Sequence, residues 1–211
     1  MKSACVLGIA VESFDSNLNF QYELINQIVT SNKKILTLLQ SLLDFYREDL
    51  NTHNLAIENV DLTALVLDCV SEMQMQAESR GIKLQLNSDI SHSFLSLDPL
   101  AIRRVLQNLL DNAIKFTPDD GEVKVHLSRH FAYLELVVED FGAGIEPELL
   151  SHLFKPFTQG VTGRRYTLGS GLGLYLCRQI VEAHKGTICC ESELGVGSKF
   201  IVRLPYSTKN E

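Results

Sequence analysis

Two hydrophobic periods divide the chain. From Gln21 to Leu50 there is no Gly or Pro, and Ile25, Ile28, Asn32, Ile35, Leu39, Leu42 and Tyr46 follow in steps of three and four. Val29, Leu36 and Leu43 widen the stripe, which suits a helix in a multi-helix bundle better than a two-stranded zipper. Lys2–Glu12 reads as the tail of an earlier helix, with Ser13–Asn19 as the turn between them. Two helices bury little surface, so this hairpin is expected to dimerise into a four-helix bundle. A helical pair packed on its own domain is the alternative. Asn51-Thr52-His53-Asn54 reads as a helix stop and linker.

Beyond the linker the pattern mixes short alternating runs with helical ones. Strands are expected near Leu55–Val60, Ile82–Leu86, Phe94–Leu97, Glu122–Ser128, Tyr133–Glu139, Thr187–Glu191 and Lys199–Leu204. Asp61 reads as the N-cap of a helix running to about Arg80 and ended by Gly81. Asp98 followed by Pro99 starts a helix to about Phe116, and a last helix is expected from about Gly171 to His184. These proportions indicate an α+β fold, a two-layer sandwich with one mixed sheet covered by helices on one face. The chain therefore divides into a helical hairpin at 1–52, a sandwich domain at 53–207 and a short tail at 208–211.

Composition narrows the class. A hydrophobic fraction of 45% with 21% charged residues fits a folded globular chain. The net charge of -7 argues against a general nucleic-acid binder. No apolar run approaches the roughly 20 residues that span a bilayer, so no membrane contact is expected of this segment. Met1 to Glu12 resembles a signal peptide only superficially, because Lys2 is its one basic residue and Glu12 closes the apolar stretch. The five cysteines show no CxxC spacing, which points away from a disulfide framework or zinc site and towards a reducing cytoplasm. Cys189 and Cys190 lie in an apolar strand-like run and read as buried, inert thiols.

Three segments carry chemistry. On the Asp98–Phe116 helix, Ile102, Val105, Leu106, Leu109, Leu110 and Ala113 form the core face, while Arg104, Asn108, Asn112 and Lys115 share another stripe. Two amides and two cations in line suit a polyphosphate with its magnesium, since Mg2+ takes hard oxygen ligands and Lys neutralises phosphate. A solvated polar face would have the same pattern. In Glu139-Asp140-Phe141-Gly142-Ala143-Gly144-Ile145 an acidic residue ends a strand and two glycines follow. Such a carboxylate could accept the exocyclic amine of adenine, or simply cap a turn. Gly169-Ser170-Gly171-Leu172-Gly173-Leu174 leads into a helix whose free N–H groups could meet an anion; a glycine hinge is the alternative. Its GxGxG spacing, with no surrounding βαβ unit, is not that of a dinucleotide-binding fold. Between the last two segments, Phe154-Lys155-Pro156-Phe157 precedes a polar stretch, Thr158–Leu168, with Arg164-Arg165 at its centre. That stretch suits a lid over phosphates.

In their order, these segments resemble sensor histidine kinases. Asn108-Leu109-Leu110-Asp111-Asn112-Ala113-Ile114-Lys115-Phe116-Thr117 is similar to the family's N box, and Asp140-Phe141-Gly142-Ala143-Gly144-Ile145 to its G1 box. Phe154-Lys155-Pro156-Phe157 is similar to the F box, and Gly169-Ser170-Gly171-Leu172-Gly173-Leu174 to the G2 box. Gly195–Phe200 through Leu204-Pro205 resembles the closing hairpin. The resemblance covers about Leu55–Tyr206. It implies a Bergerat-type ATP-binding fold preceded by a dimerisation and histidine-phosphotransfer hairpin. It further implies Mg2+ at Asn112 with support from Asn108, phosphate contact by Lys115, and Phe116 lining the pocket. Asp140 would bind the adenine amine, with Gly142 and Gly144 shaping that wall. Gly169, Gly171 and Gly173 would let the lid base and the helix start meet the phosphates, and one of Arg164 and Arg165 would reach the γ-phosphate. Hydrolysing relatives of the wider superfamily carry a glutamate four residues before the metal-binding asparagine. Here that position is Asn108, which cannot serve as a general base, so the resemblance implies phosphate transfer.

The family's phosphoacceptor histidine lies on the first bundle helix. None of His53, His92, His126, His130, His152 and His184 precedes the second helix or has that context. Lys2–Glu12 resembles the stretch just beyond the acceptor, so Met1 is expected to begin downstream of it. The expected function is a kinase core that binds Mg-ATP, transfers its γ-phosphate to a histidine outside this chain, forms a homodimer and serves a response regulator receiver domain. A nucleotide-binding and dimerising module without transfer activity is the alternative.

Overall fold

Acidic caps start the two longest helices among the described residues of this protein. The computed structural model describes Gln21, Leu24, Ile25, Ile28, Val29, Ser31 and Asn32, then residues 55–158 and 171–206. The chain divides into two compact units, Met1–Leu43 and Asp44–Glu211. In the first, the described residues are helical, and Leu24, Ile25, Ile28 and Val29 are exposed. The rest of the expected hairpin and its linker lie outside the described residues.

The second unit begins with β1 (Glu58–Asp61) and α1 (Leu62–Glu78). Asp61 caps α1 by accepting the Thr63 N–H at 3.1 Å, and Gly81 at φ 68 turns the chain after it. β2 (Lys83–Ser88) and β3 (Phe94–Leu97) lead to α2 (Pro99–Phe116). Asp98 Oδ1 accepts the Leu100 and Ala101 N–H groups, each at 3.0 Å, and Pro99 needs no partner in that first turn. β4 (Glu122–Arg129), β5 (Tyr133–Asp140), α3 (Pro147–Leu150), α4 (Gly173–Ala183), β6 (Thr187–Glu193) and β7 (Gly197–Pro205) complete the order.

Five strands form a mixed sheet in the order β2-β4-β5-β7-β6, with β2 parallel to β4 and the other neighbours antiparallel. The expectation of a single sheet needs one correction. β1 and β3 pair with each other as a separate antiparallel ribbon, Glu58 opposite Leu97 and Asp61 opposite Phe94. Four residues each, they satisfy one another's edges and deliver the chain to the two acidic caps. The short α3, which begins at Pro147, is also additional to the elements expected.

Alternation places Val123, Val125 and Leu127 of β4 and Leu134, Leu136 and Val138 of β5 on one buried face. Against it pack the apolar faces of α1, α2 and α4, with α2 between its two neighbours. Ile102, Val105, Leu106, Leu109, Leu110, Ala113 and Ile114 of α2 are all buried. The opposite face of the sheet is polar. Glu135 pairs with Arg203 at 2.7 Å and Glu139 with Lys199 at 3.1 Å. A sheet covered on one face by helices is the two-layer arrangement that its alternating strands require.

Cys189 and Cys190 divide by the same alternation, which corrects the reading of both as buried. β6 is the outer strand, so Cys189 is exposed while Cys190 is half-buried, its thiol pushed up to about 12 by burial. Cys69, Cys177, Cys189 and Cys190 are all free thiols. Among the described residues no helix is long and apolar enough to cross a membrane.

Candidate functional site

The polar stripe of α2 follows from its core face. With seven apolar residues turned to the sheet, Asn108, Asn112 and Lys115 fall on the side away from it, where they are half-buried, and Arg104 is exposed. Asp98 and Pro99 start this helix and Thr117 ends it. Thr117 is fully buried and returns its hydroxyl to the Ala113 carbonyl at 2.7 Å.

Glycines bring the other segments against this stripe. A Cβ at Gly173 would stand 2.8 Å from Asn108 Oδ1, so the start of α4 lies directly beside the α2 amide. A Cβ at Gly142 would collide with the Phe116 carbonyl, so the loop after β5 lies against the end of α2. Gly171, at φ 72, meets the backbone of Phe157 and Thr158, each at 2.8 Å from its would-be Cβ. The N, G1, F and G2 segments thus converge through contacts that side chains would block. Gly144, at φ 69, turns the loop onto the Glu193 carbonyl.

Asp140 ends β5 inside this convergence and is 4% exposed. Its Oδ1 accepts the Gly142 N–H at 3.0 Å. Burial pushes the carboxyl up to about 6, with Glu139 adding to the rise, while hydrogen bonds from Gly142 and Ser198 oppose it. Ser198, opposite Asp140 on β7, belongs to a serine pair. Its Oγ lies 3.0 Å from Ser192 Oγ, which donates to the Gly197 carbonyl at 2.8 Å and accepts the Ile145 N–H at 2.9 Å. Sequence reasoning missed both serines, because only strand register places Ser198 beside Asp140 and Ser192 beside Ser198.

The Lys115 ammonium lies over the Phe116 ring at 5.2 Å, and that of Lys124 over the Phe141 ring at 4.7 Å. The N-cap residue of the 11-residue α4, Leu172, makes no side-chain cap, and this positive end of the helix dipole lies beside Asn108 of the α2 stripe. Arg164, Arg165 and Gly169 lie outside the described residues. None of the five described histidines is within a helix. His92 Nδ1 contacts Asp61 Oδ2 at 2.7 Å, and His184 bridges the Ile180 carbonyl at 2.7 Å and the Asp98 N–H at 3.0 Å.

Residues 97–208 match the family described as histidine kinase-, DNA gyrase B- and HSP90-like ATPase. The chain is 32% identical over 195 residues to the sensor protein EvgS of Escherichia coli strain K12, covering 90% of this chain and 16% of EvgS. It is 32% identical over 183 residues to the alginate biosynthesis sensor protein KinB of Pseudomonas aeruginosa, covering 87% of this chain and 30% of KinB. The chain thus spans less than a third of either relative. Full-length ShkA, solved in complex with AMPPNP, superposes with a TM-score of 0.72 at 26% identity, covering 82% of this chain and 36% of that one.

Proposed function

This chain belongs to the histidine kinase-, DNA gyrase B- and HSP90-like ATPase family, as a catalytic domain of the sensor histidine kinase type, and we propose that it binds Mg-ATP in the pocket around Asp140 and transfers the γ-phosphate to a histidine outside this chain. The observation that carries the reading is the convergence of the α2 stripe, the loop after β5 and the start of α4 through Gly142 and Gly173.

The donor set fits a magnesium nucleotide. A buried carboxylate accepts the adenine amine and would oppose the carbonyl that guanine presents at the same place. Gly142 N–H holds Oδ1 in position, and hydrogen bonds from Ser198 fix the carboxylate further. A carboxyl at about 6 is ionised at neutral pH, as that acceptor role requires. Asn108 and Asn112 offer amide oxygens of the hard type that Mg2+ prefers, and bound Mg2+ would offset charge on the phosphates. Lys115 and the N-terminal N–H groups of α4 supply further positive potential on the same side. The family resemblance assigns the γ-phosphate contact to Arg164 or Arg165, and the lid base to Gly169 and Gly171. Asn108 has no basic lone pair with which to activate water. The acceptor imidazole nitrogen therefore attacks the γ-phosphorus as the bond to the bridging oxygen breaks and ADP leaves.

The domain at 53–207 works with a helical hairpin at 1–52. Exposed Leu24, Ile25, Ile28 and Val29 support a homodimer through that hairpin, since contiguous apolar helix surface calls for a partner. A receiver domain of a response regulator is the onward partner, and the cytoplasm is the compartment. Incubation with γ-labelled ATP tests the proposal. Label should pass to an added acceptor-bearing helical bundle and not to this chain alone. Tight nucleotide binding with no label on either would leave only a nucleotide-binding, dimerising module.

A further inference from the structure

The last carbonyls of α2 are held from outside the helix. Arg80, in the turn after α1, donates from Nη1 to the Ile114 carbonyl and from Nη2 to the Thr117 carbonyl at 2.9 Å. Its Nε donates to Asp119 Oδ1 at 2.9 Å, and its own carbonyl accepts the Asp120 N–H at 3.0 Å. The final carbonyls of a helix lack intrahelical donors and carry the negative end of its dipole. The basic residue of α2's own last turn, Lys115, has its ammonium over the Phe116 ring. A planar guanidinium can hold two carbonyls and a carboxylate together; an ammonium presents one point charge.

The two held carbonyls bracket Lys115 and Phe116. Phe116 is also the residue whose carbonyl Gly142 packs against, two positions from Asp140. We infer that Arg80 is a positioning residue for the nucleotide, fixing the Lys115–Phe116 segment against Gly142 so that the phosphate cation and the adenine carboxylate keep their spacing. This rests on reading the pocket as an ATP site. Arg80 touches no reacting atom; it acts through the end of α2.

Titration calorimetry with Mg-ATP on the full chain, beside thermal melts, tests the inference. R80Q should bind about ten-fold more weakly, and R80K, which keeps the charge but not the fork, should also lose several-fold. D119N, which leaves both carbonyl contacts in place, should bind within about two-fold of the unaltered chain. So should V66A, a core truncation at a fully buried site that lowers the melting temperature without touching α2's end. R80Q binding as well as the unaltered chain would overturn the inference, as would V66A losing as much affinity as R80Q. Failure of the unaltered chain to bind adenine nucleotide is a separate outcome, which removes the functional reading and this inference with it.

Discussion

Replacing Asp140 by Asn should stabilise the empty protein while weakening nucleotide binding. The carboxyl's ordinary value is 3.8 and burial raises it to about 6 in the fold. Between those values the folded chain holds a proton that the unfolded chain has lost, so the unaltered protein loses stability as pH rises from 4 to 6. Above that window the penalty is complete. A gap of about two pH units at 1.36 kcal/mol each comes to about 3 kcal/mol. The Asn amide keeps an acceptor for the Gly142 N–H and carries no charge. D140N should therefore exceed the unaltered chain by about 3 kcal/mol at pH 8, or about 6–12 °C in Tm for a domain of this size. The difference should shrink through pH 6 and vanish near pH 4. Chemical denaturation of both proteins from pH 4 to 8, without nucleotide, measures it, because all other titrations cancel in the difference. A gap that stays constant with pH, or a less stable D140N at pH 8, would refute the reasoning. The same exchange removes the adenine acceptor, so Mg-ATP affinity should fall as stability rises.

Two glycine substitutions should separate binding from folding. A Cβ at Gly173 meets the movable end of the Asn108 side chain, so G173A should cost under about 1 kcal/mol of stability yet weaken Mg-ATP binding by about ten-fold. A Cβ at Gly142 meets the Phe116 backbone, which cannot step aside, and G142A should lose about 2–3 kcal/mol in denaturant melts. Asn112→Ala should lower affinity for ATP about ten-fold with magnesium present and leave metal-free binding unchanged, as calorimetry with and without EDTA will tell. His184→Leu orphans the Asp98 N–H, while the Ile180 carbonyl keeps the His184 backbone N–H, and should cost about 1–3 kcal/mol, read from urea unfolding.

Local chemistry made much of this fold legible in advance. Asp61, Asp98 and Pro99 announce helix starts through their own side chains, and both carboxylates cap as expected. Alternation along Glu122–Ser128 and Tyr133–Glu139 marked both strands within a residue of their ends. What stayed hidden depends on neighbours distant in sequence. Gly197 and Ser198 precede the strand expected from Lys199, yet they open β7 opposite Glu193 and Ser192 of β6, which puts Ser198 beside Asp140. Cys189 looks as apolar as Cys190 until β6 proves to be the outer strand. Arg80 reads as a helix-ending charge before Gly81, and its hold on α2 spans 34 and 37 residues of sequence. Asn108, Asn112 and Lys115 were visible as a stripe, but a solvated face has the same spacing. The approach of Gly173 to Asn108 and of Gly142 to Phe116 favours a binding site over a solvated face.

The central claim is that a buried carboxylate selects adenine while side-chain amides hold its magnesium polyphosphate. Parallel titrations of the unaltered chain with Mg-ATP and Mg-GTP test it most directly. The account predicts binding of the adenine nucleotide at least about ten-fold tighter; equal affinities for the two would contradict it.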